Sequence, residues 1–156
     1  MGSSQDIRDP IAAPRQVEVT AQAIRRFAQA IGDDDPLYHD AAYAASTRHG
    51  GIVAPPLFCQ SLAYDDLPPA LLPPDGSPRE TAALPVPAQR LVGGSSDYRI
   101  ERLVRPGDVI TVTTRPGQVT TKTGRSGTLY LIEVETVFTD AQGALVARER
   151  ATYIKR

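Results

Sequence analysis

The residues best able to move protons are concentrated in one short stretch, Gly32-Asp33-Asp34-Asp35-Pro36-Leu37-Tyr38-His39-Asp40. A carboxylate close to an imidazole can orient the ring and stabilise its protonated form while a water molecule gives up a proton. Asp33 and His39 supply that pair. Tyr38 stands between them in sequence, although a phenol of ordinary pKa is a poor base near neutral pH. The bland alternative is a solvated turn, because aspartates are common wherever a chain reverses; Asp34 is assigned to that role. The remaining chemistry-bearing residues read more simply. Cys59 lies in the apolar run Leu57-Phe58-Cys59 and reads as a small buried hydrophobe rather than a nucleophile. His49, beside Gly50-Gly51, reads as a solvent-facing cap residue, and Tyr43 and Tyr64 as packing residues with bonded hydroxyls. Arg99, Arg102 and Arg105 could meet a ligand phosphate, but exposed strand arginines are the duller and preferred reading.

The elements around that stretch must hold it still. Thr20 is a suitable N-cap for a helix with Ile24, Phe27, Ala28 and Ile31 at helical spacing. Gly32 suits its C-terminal cap. Pro36 disfavours helical backbone at Asp35, so a loop follows. Asp40 then N-caps a short second helix through Ala41, Ala42, Tyr43 and Ala45, closed by Gly50-Gly51. A third, more apolar helix starts near Pro55 or Pro56 and carries Leu57, Phe58, Ser61 and Leu62; proline is tolerated there because the first N–H groups lack intrahelical partners. From Leu67 to Pro87 proline is too dense for a packed helix or central strand, so a long surface loop is expected there, bordering whatever pocket the helix forms.

The second half of the chain reads as strands. Gln16 to Val19 is a short one, followed after the helices by Leu91 to Leu103, Val109 to Thr113, Leu129 to Phe138 and Ala144 to Ile154. Turns are expected at Arg105-Pro106-Gly107-Asp108, from Gly124 to Gly127, and at Asp140-Ala141-Gln142-Gly143. Gly93-Gly94 either lets a ligand approach the backbone or marks a β-bulge, and the bulge is the safer reading. Strands joined through turns give an antiparallel sheet, so the fold class is α+β with the helical half covering one sheet face.

Composition narrows the classes. With 156 residues, 41% of them hydrophobic and 22% charged, one domain is expected, spanning 15–156 after a flexible 1–14. The net charge of -1 gives no basic footprint for nucleic acid. A single cysteine excludes an intrachain disulfide and is compatible with a reducing cytoplasm. No stretch approaches the length of a membrane-spanning helix, so no membrane partner is expected.

The stretch from Gly32 to Asp40 resembles the hydratase motif Gly-Asp-x-Asn-Pro-Leu-His of MaoC-like dehydratases and R-specific enoyl-CoA hydratases. Gly51-Ile52-Val53-Ala54-Pro55-Pro56-Leu57-Phe58 resembles the start of the central helix in the N-terminal type of that family, and Arg102 to Asp108 its strand-turn signature. The resemblance implies a hot-dog fold, a curved antiparallel sheet wrapped around one central helix. It implies a homodimer, or a heterodimer with a homologous subunit, with sites at the interface. It implies reversible addition of water to a trans-2-enoyl thioester carried on coenzyme A or an acyl carrier protein, with no metal or redox cofactor. In the family an Asp and a His hold the water. Asp33 takes the Asp place, Tyr38 falls in the His place, and His39 comes one residue late. Where family hydratases carry His-Gly, this chain has Ala54-Pro55-Pro56, and proline has no N–H to offer a carbonyl. Asp33, His39 and Tyr38 are therefore the candidate catalytic residues, and Pro56, Gly93 and Gly94 the candidate substrate contacts. The activity expected is that of a hydratase or dehydratase acting on acyl thioesters; the alternatives are a non-catalytic acyl-binding half completed by a partner and a thioesterase on the same fold.

Overall fold

The computed structural model describes residues 4–6, 13–64, 70, 86–88, 90–125 and 127–156. Among the described residues, six strands and three short α-helices follow one another in two blocks. The first holds β1 (Ser4–Asp6), β2 (Arg15–Glu18), α1 (Ala21–Ile31), a 3-10 turn at Pro36–Tyr38, α2 (Ala41–Ser46) and α3 (Phe58–Leu62). The second holds β3 (Leu91–Ile100), β4 (Val109–Gly124), β5 (Gly127–Thr139) and β6 (Leu145–Lys155). All pair in one sheet in the order β1-β4-β5-β6-β3, with β2 also on β4. Every pairing is antiparallel.

Local chemistry sets the helix ends. The Thr20 hydroxyl accepts from Ala23 N–H at 3.0 Å, and Gly32 closes α1 at φ 71°, a left-handed conformation that costs glycine little. Asp40 Oδ1 accepts from the N–H groups of Ala42 and Tyr43 at 2.9 and 3.0 Å, starting α2. α1 buries Ile24 and Ala28, but Ile31, expected on the same face, is 55% exposed at the last turn. The apolar helix is only five residues long, preceded by a turn at Pro56 and Leu57, and it buries Phe58, Cys59 and Leu62 while Leu57 and Ser61 face outward.

The concave sheet face carries two apolar clusters. The larger one packs Phe138, Ile110, Val112 and Ala147 beneath Phe58, Cys59 and Leu62, with Ile24 and Ala28 of α1 beyond them. Phe27 meets Phe58 edge-on, with ring centroids 5.6 Å apart. The smaller cluster, Val119, Ile132 and Val134, lies further along the strands with Val86, Tyr130 and Tyr153 against it. Three bulges let inward-facing residues continue past breaks in alternation: between Pro116 and Val119, between Phe138 and Thr139, and between Gly93 and Ser95.

Several strands run beyond their sequence-based limits. β4 passes through Arg115-Pro116-Gly117 and on to Gly124, because the bulge absorbs the proline without ending the ladder. β1 pairs with β4 in a stretch that the sequence suggests is a loose leader. The proline-rich loop expected from Leu67 to Pro87 lies almost wholly outside the described residues. Among the described residues, no helix is long and apolar enough to cross a membrane.

Candidate active site

The loop after α1 is wired through its own aspartates. Asp33 Oδ1 accepts from Asp35 N–H at 3.2 Å, and Asp35 Oδ1 accepts from Leu37 N–H at 2.9 Å, which caps the 3-10 turn. Pro36 opens that turn with its φ already fixed. Side chains three residues apart eclipse in a 3-10 helix, and consecutive ones point in different directions. Tyr38 therefore turns into the core, 9% exposed, while His39 caps the turn and faces solvent.

This placement decides which groups meet. The Tyr38 hydroxyl lies near the Asp33 carboxylate. Burial pushes the phenol pKa up from its ordinary value, and the negative charges of Asp33 and Asp35 push it the same way. Tyr38 is thus held protonated. The His39 ring instead lies 3.3 Å from the Asp34 carbonyl through Nε2, so the Asp33–His39 pair expected from spacing is not formed. His49, read as a cap residue, lies beside the Arg48 side chain at 3.3 Å, and its carbonyl accepts from Arg105 Nη2 at 2.6 Å.

The expected substrate contacts are dispersed. Pro55 is buried and Pro56 exposed at the turn before α3. Ala54 N–H, the nearest upstream donor, is already committed to the Val104 carbonyl at 2.7 Å. Gly93 and Gly94 sit on β3 at its bulge with β6, where a Cβ at Gly94 would come within 2.8 Å of the Thr152 carbonyl oxygen. That close approach explains Gly94 without a ligand. The arginines are mostly engaged within the fold: Arg102 with Asp108 at 2.7 Å and Asp140 at 3.5 Å, and Arg99 with Asp97 at 3.7 Å. Burial raises the Cys59 thiol pKa to about 11, as expected of an inert packing residue.

Sequence reading missed two features. One is a groove of about 430 Å³ between α1, β2 and α3, lined by the apolar Val17, Phe27, Phe58 and Leu62, with Arg15, Arg26 and Tyr64 also on its walls. Its size suits a small-molecule or acyl ligand. The other is Glu149, 7% exposed on the concave face of β6. Neither could be read from local spacing, because each gathers residues from distant strands and helices.

A curved antiparallel sheet packed on a short apolar helix, with an acidic loop at the end of α1, defines the hot-dog fold. The chain matches the family model described as FAS1-like, dehydratase domain region, over residues 9–149, and belongs to that family. A UPF0336 protein of Thermobifida fusca is 35% identical over 101 residues, covering 65% of this chain and 61% of that protein. The match thus spans less than two thirds of that relative's length. A UPF0336 protein of Parafrankia is 30% identical over 139 residues, covering 89% of this chain and 84% of that protein. Solved structures of MaoC-like dehydratases and hydratases share the fold. The ChsH1-ChsH2 complex of Mycobacterium tuberculosis has a TM-score of 0.71 at 24% identity, over 99% of this chain and 88% of that one. The MaoC-like dehydratase of Rhodospirillum rubrum has 0.60 at 22% identity, over 99% and 90%. The R-hydratase PhaJ1 of Pseudomonas aeruginosa has 0.60 at 20% identity, over 98% and 88%.

Proposed function

We propose that this chain binds acyl thioesters as one half of a hydratase or dehydratase whose chemistry a second hot-dog subunit completes. The observation that carries this reading is the placement of Tyr38 and His39: the buried phenol takes the inward position beside Asp33, and the imidazole lies against the Asp34 carbonyl instead. Reversible hydration of a trans-2-enoyl thioester needs a base to take a proton from water, an acid to protonate the α-carbon, and a donor for the thioester carbonyl. A phenol held protonated beside a carboxylate supplies an ordered hydrogen-bonding surface but no base of suitable pKa. Pro55 and Pro56 remove two backbone donors at the helix start. The apolar groove beside α3 supports acyl binding, and the exposed, ten-residue edge strand β3 leaves backbone groups free to pair with another subunit. A two-component arrangement is also what the name of the ChsH1-ChsH2 complex describes.

A second reading, hydration by the chain alone, is favoured by one observation: Asp33 is half-buried at the mouth of the same loop. An assay on crotonyl-CoA separates the two. The expected result is no turnover by the purified chain, turnover once a homologous hot-dog subunit is added, and rates in the mixture that Asp33→Asn and His39→Ala change only a few-fold. Turnover by the chain alone, lowered roughly 10²–10⁴-fold by Asp33→Asn, would establish the second reading instead.

A further inference from the structure

The concave sheet face has a polar belt between its two apolar clusters. Thr114, Thr136, Glu149 and Tyr98 lie side by side across β4, β5, β6 and β3 as successive cross-strand partners. The Thr114 and Thr136 hydroxyls are 3.3 Å apart, and the Ser96 hydroxyl donates to Glu149 Oε1 at 2.7 Å. Thr136 is 5% and Glu149 7% exposed. Burying a carboxyl in an otherwise apolar core is costly unless its acceptor sites are filled. Ser96 fills one of them, and among the described residues no guanidinium or ammonium is seen paired with Glu149. The Tyr98 hydroxyl is also buried: it lies against the Cys59 thiol but makes no hydrogen bond of ordinary geometry.

The belt is not sealed. Ser96 and its neighbours on β3 are exposed, and β3 is the open edge of the sheet. Tyr64, just past α3, is 46% exposed and lines the apolar groove. Burial and then the negative charge of Glu149 raise its hydroxyl pKa, so the same side chain borders the groove and feels the charge of the belt.

We infer that Glu149, with Ser96, Tyr98 and Thr136 around it, is a recognition site for a hydrogen-bond donor, a hydroxyl or an amide N–H, carried by the thioester ligand. This rests on the acyl-thioester reading and adds a specificity determinant to it. A chain of methylenes alone gains nothing from a buried carboxyl, whereas a donor placed against it forms a charge-assisted bond in a site that is largely dry. Two parts of such a ligand carry donors: the pantetheine arm, through its amides, and the acyl chain, where it is hydroxylated.

The test is calorimetric titration of the full chain with octanoyl-CoA, ω-hydroxyoctanoyl-CoA and pantetheine. Glu149→Gln keeps the shape and removes the charge. It is expected to weaken binding of the donor-bearing probe about tenfold. Equal weakening for all three probes assigns the donor to the pantetheine arm, and weakening confined to the hydroxylated probe assigns it to the acyl chain. Ser96 lies on the exposed edge strand, so Ser96→Ala should still fold, melting modestly lower than the wild type because the bond to Glu149 is lost, and should shift the same affinities about threefold, which keeps the test valid if Glu149→Gln fails to fold. Wild-type binding of all probes that neither substitution alters overturns the inference alone. Wild type that binds none of them overturns the acyl-thioester reading as well.

Discussion

The motif loop and the polar belt satisfy polar groups in opposite ways. In the loop, Asp33, Asp35 and Asp40 bond to residues two or three positions away, and the Tyr38 hydroxyl lies near Asp33 at the start of the same turn. In the belt, Thr114 meets Thr136 and Ser96 meets Glu149, residues 22 and 53 positions apart. The first arrangement follows from capping rules that act within one turn of chain. The second exists only after four strands have paired in the right register. Substitutions in the loop should therefore act locally, whereas substitutions that disturb strand register should reach the belt.

The largest effect is expected at the β3 bulge. Gly94 takes up the extra residue, so that Gly93 opposes Tyr153 on one side of it and Ser96 opposes Ala151 on the other. A methyl group at Gly94 would sit 2.8 Å from the Thr152 carbonyl oxygen, which is backbone and cannot swing aside. Gly94→Ala should cost about 1–3 kcal/mol in denaturant melts, with faster amide exchange at Ser96 and Tyr98. Gly93→Ala is the control, since nothing lies within 4 Å of its added carbon, and it should fall within about 0.5 kcal/mol of wild type. Equal costs at the two glycines would show that the bulge does not hold the belt in register.

Tyr38→Phe comes next. The ring keeps its place in the main apolar cluster, and only the hydroxyl near Asp33 is lost. The expected cost is about 1 kcal/mol, with the rest of the sheet unchanged by amide exchange. A larger loss, or one that spreads into β6, would mean that the loop is coupled to the strands and that the contrast between the two regions fails.

The same contrast explains what could be read from sequence. Thr20, Gly32 and Asp40 act as the caps expected of them, and turns form at Asp108, Gly127 and Gly143 because each depends on a few adjacent residues. The hot-dog arrangement followed from a three-motif resemblance and from the strand order. Two features were not legible there, for physical reasons. His39 was expected to meet Asp33, but consecutive residues of a 3-10 turn diverge, so Tyr38 takes the inward position. Glu149, in Arg148-Glu149-Arg150, looks like one member of a solvated charge run, and only its pairing between Thr136 and Tyr98 turns it inward.

The smallest effect is expected at a turn that is local in its bonds but tied to the sheet by charge. Asp140 Oδ1 accepts from Gln142 and Ala144 N–H at 3.0 and 2.9 Å, and its other oxygen faces Arg102, which also holds Asp108. The backbone bond from Ala144 is the main cause that lowers the Asp140 pKa below the ordinary carboxylate value; the Gln142 bond and Arg102 act in the same direction. A carboxyl with a depressed folded-state pKa stabilises the fold above its unfolded pKa, and that contribution is lost as pH falls through the folded value. Asp140→Asn keeps an oxygen for the two N–H groups and removes only the charge. The wild type should therefore melt slightly higher than the variant at neutral pH, and the gap should close as the solution is acidified below the ordinary aspartate range. Because the pair is near the surface, the gap at neutral pH should be about a degree or two, and added salt should shrink it. A gap that persists unchanged at acid pH would assign the difference to the altered turn bonds rather than to the charge on Asp140.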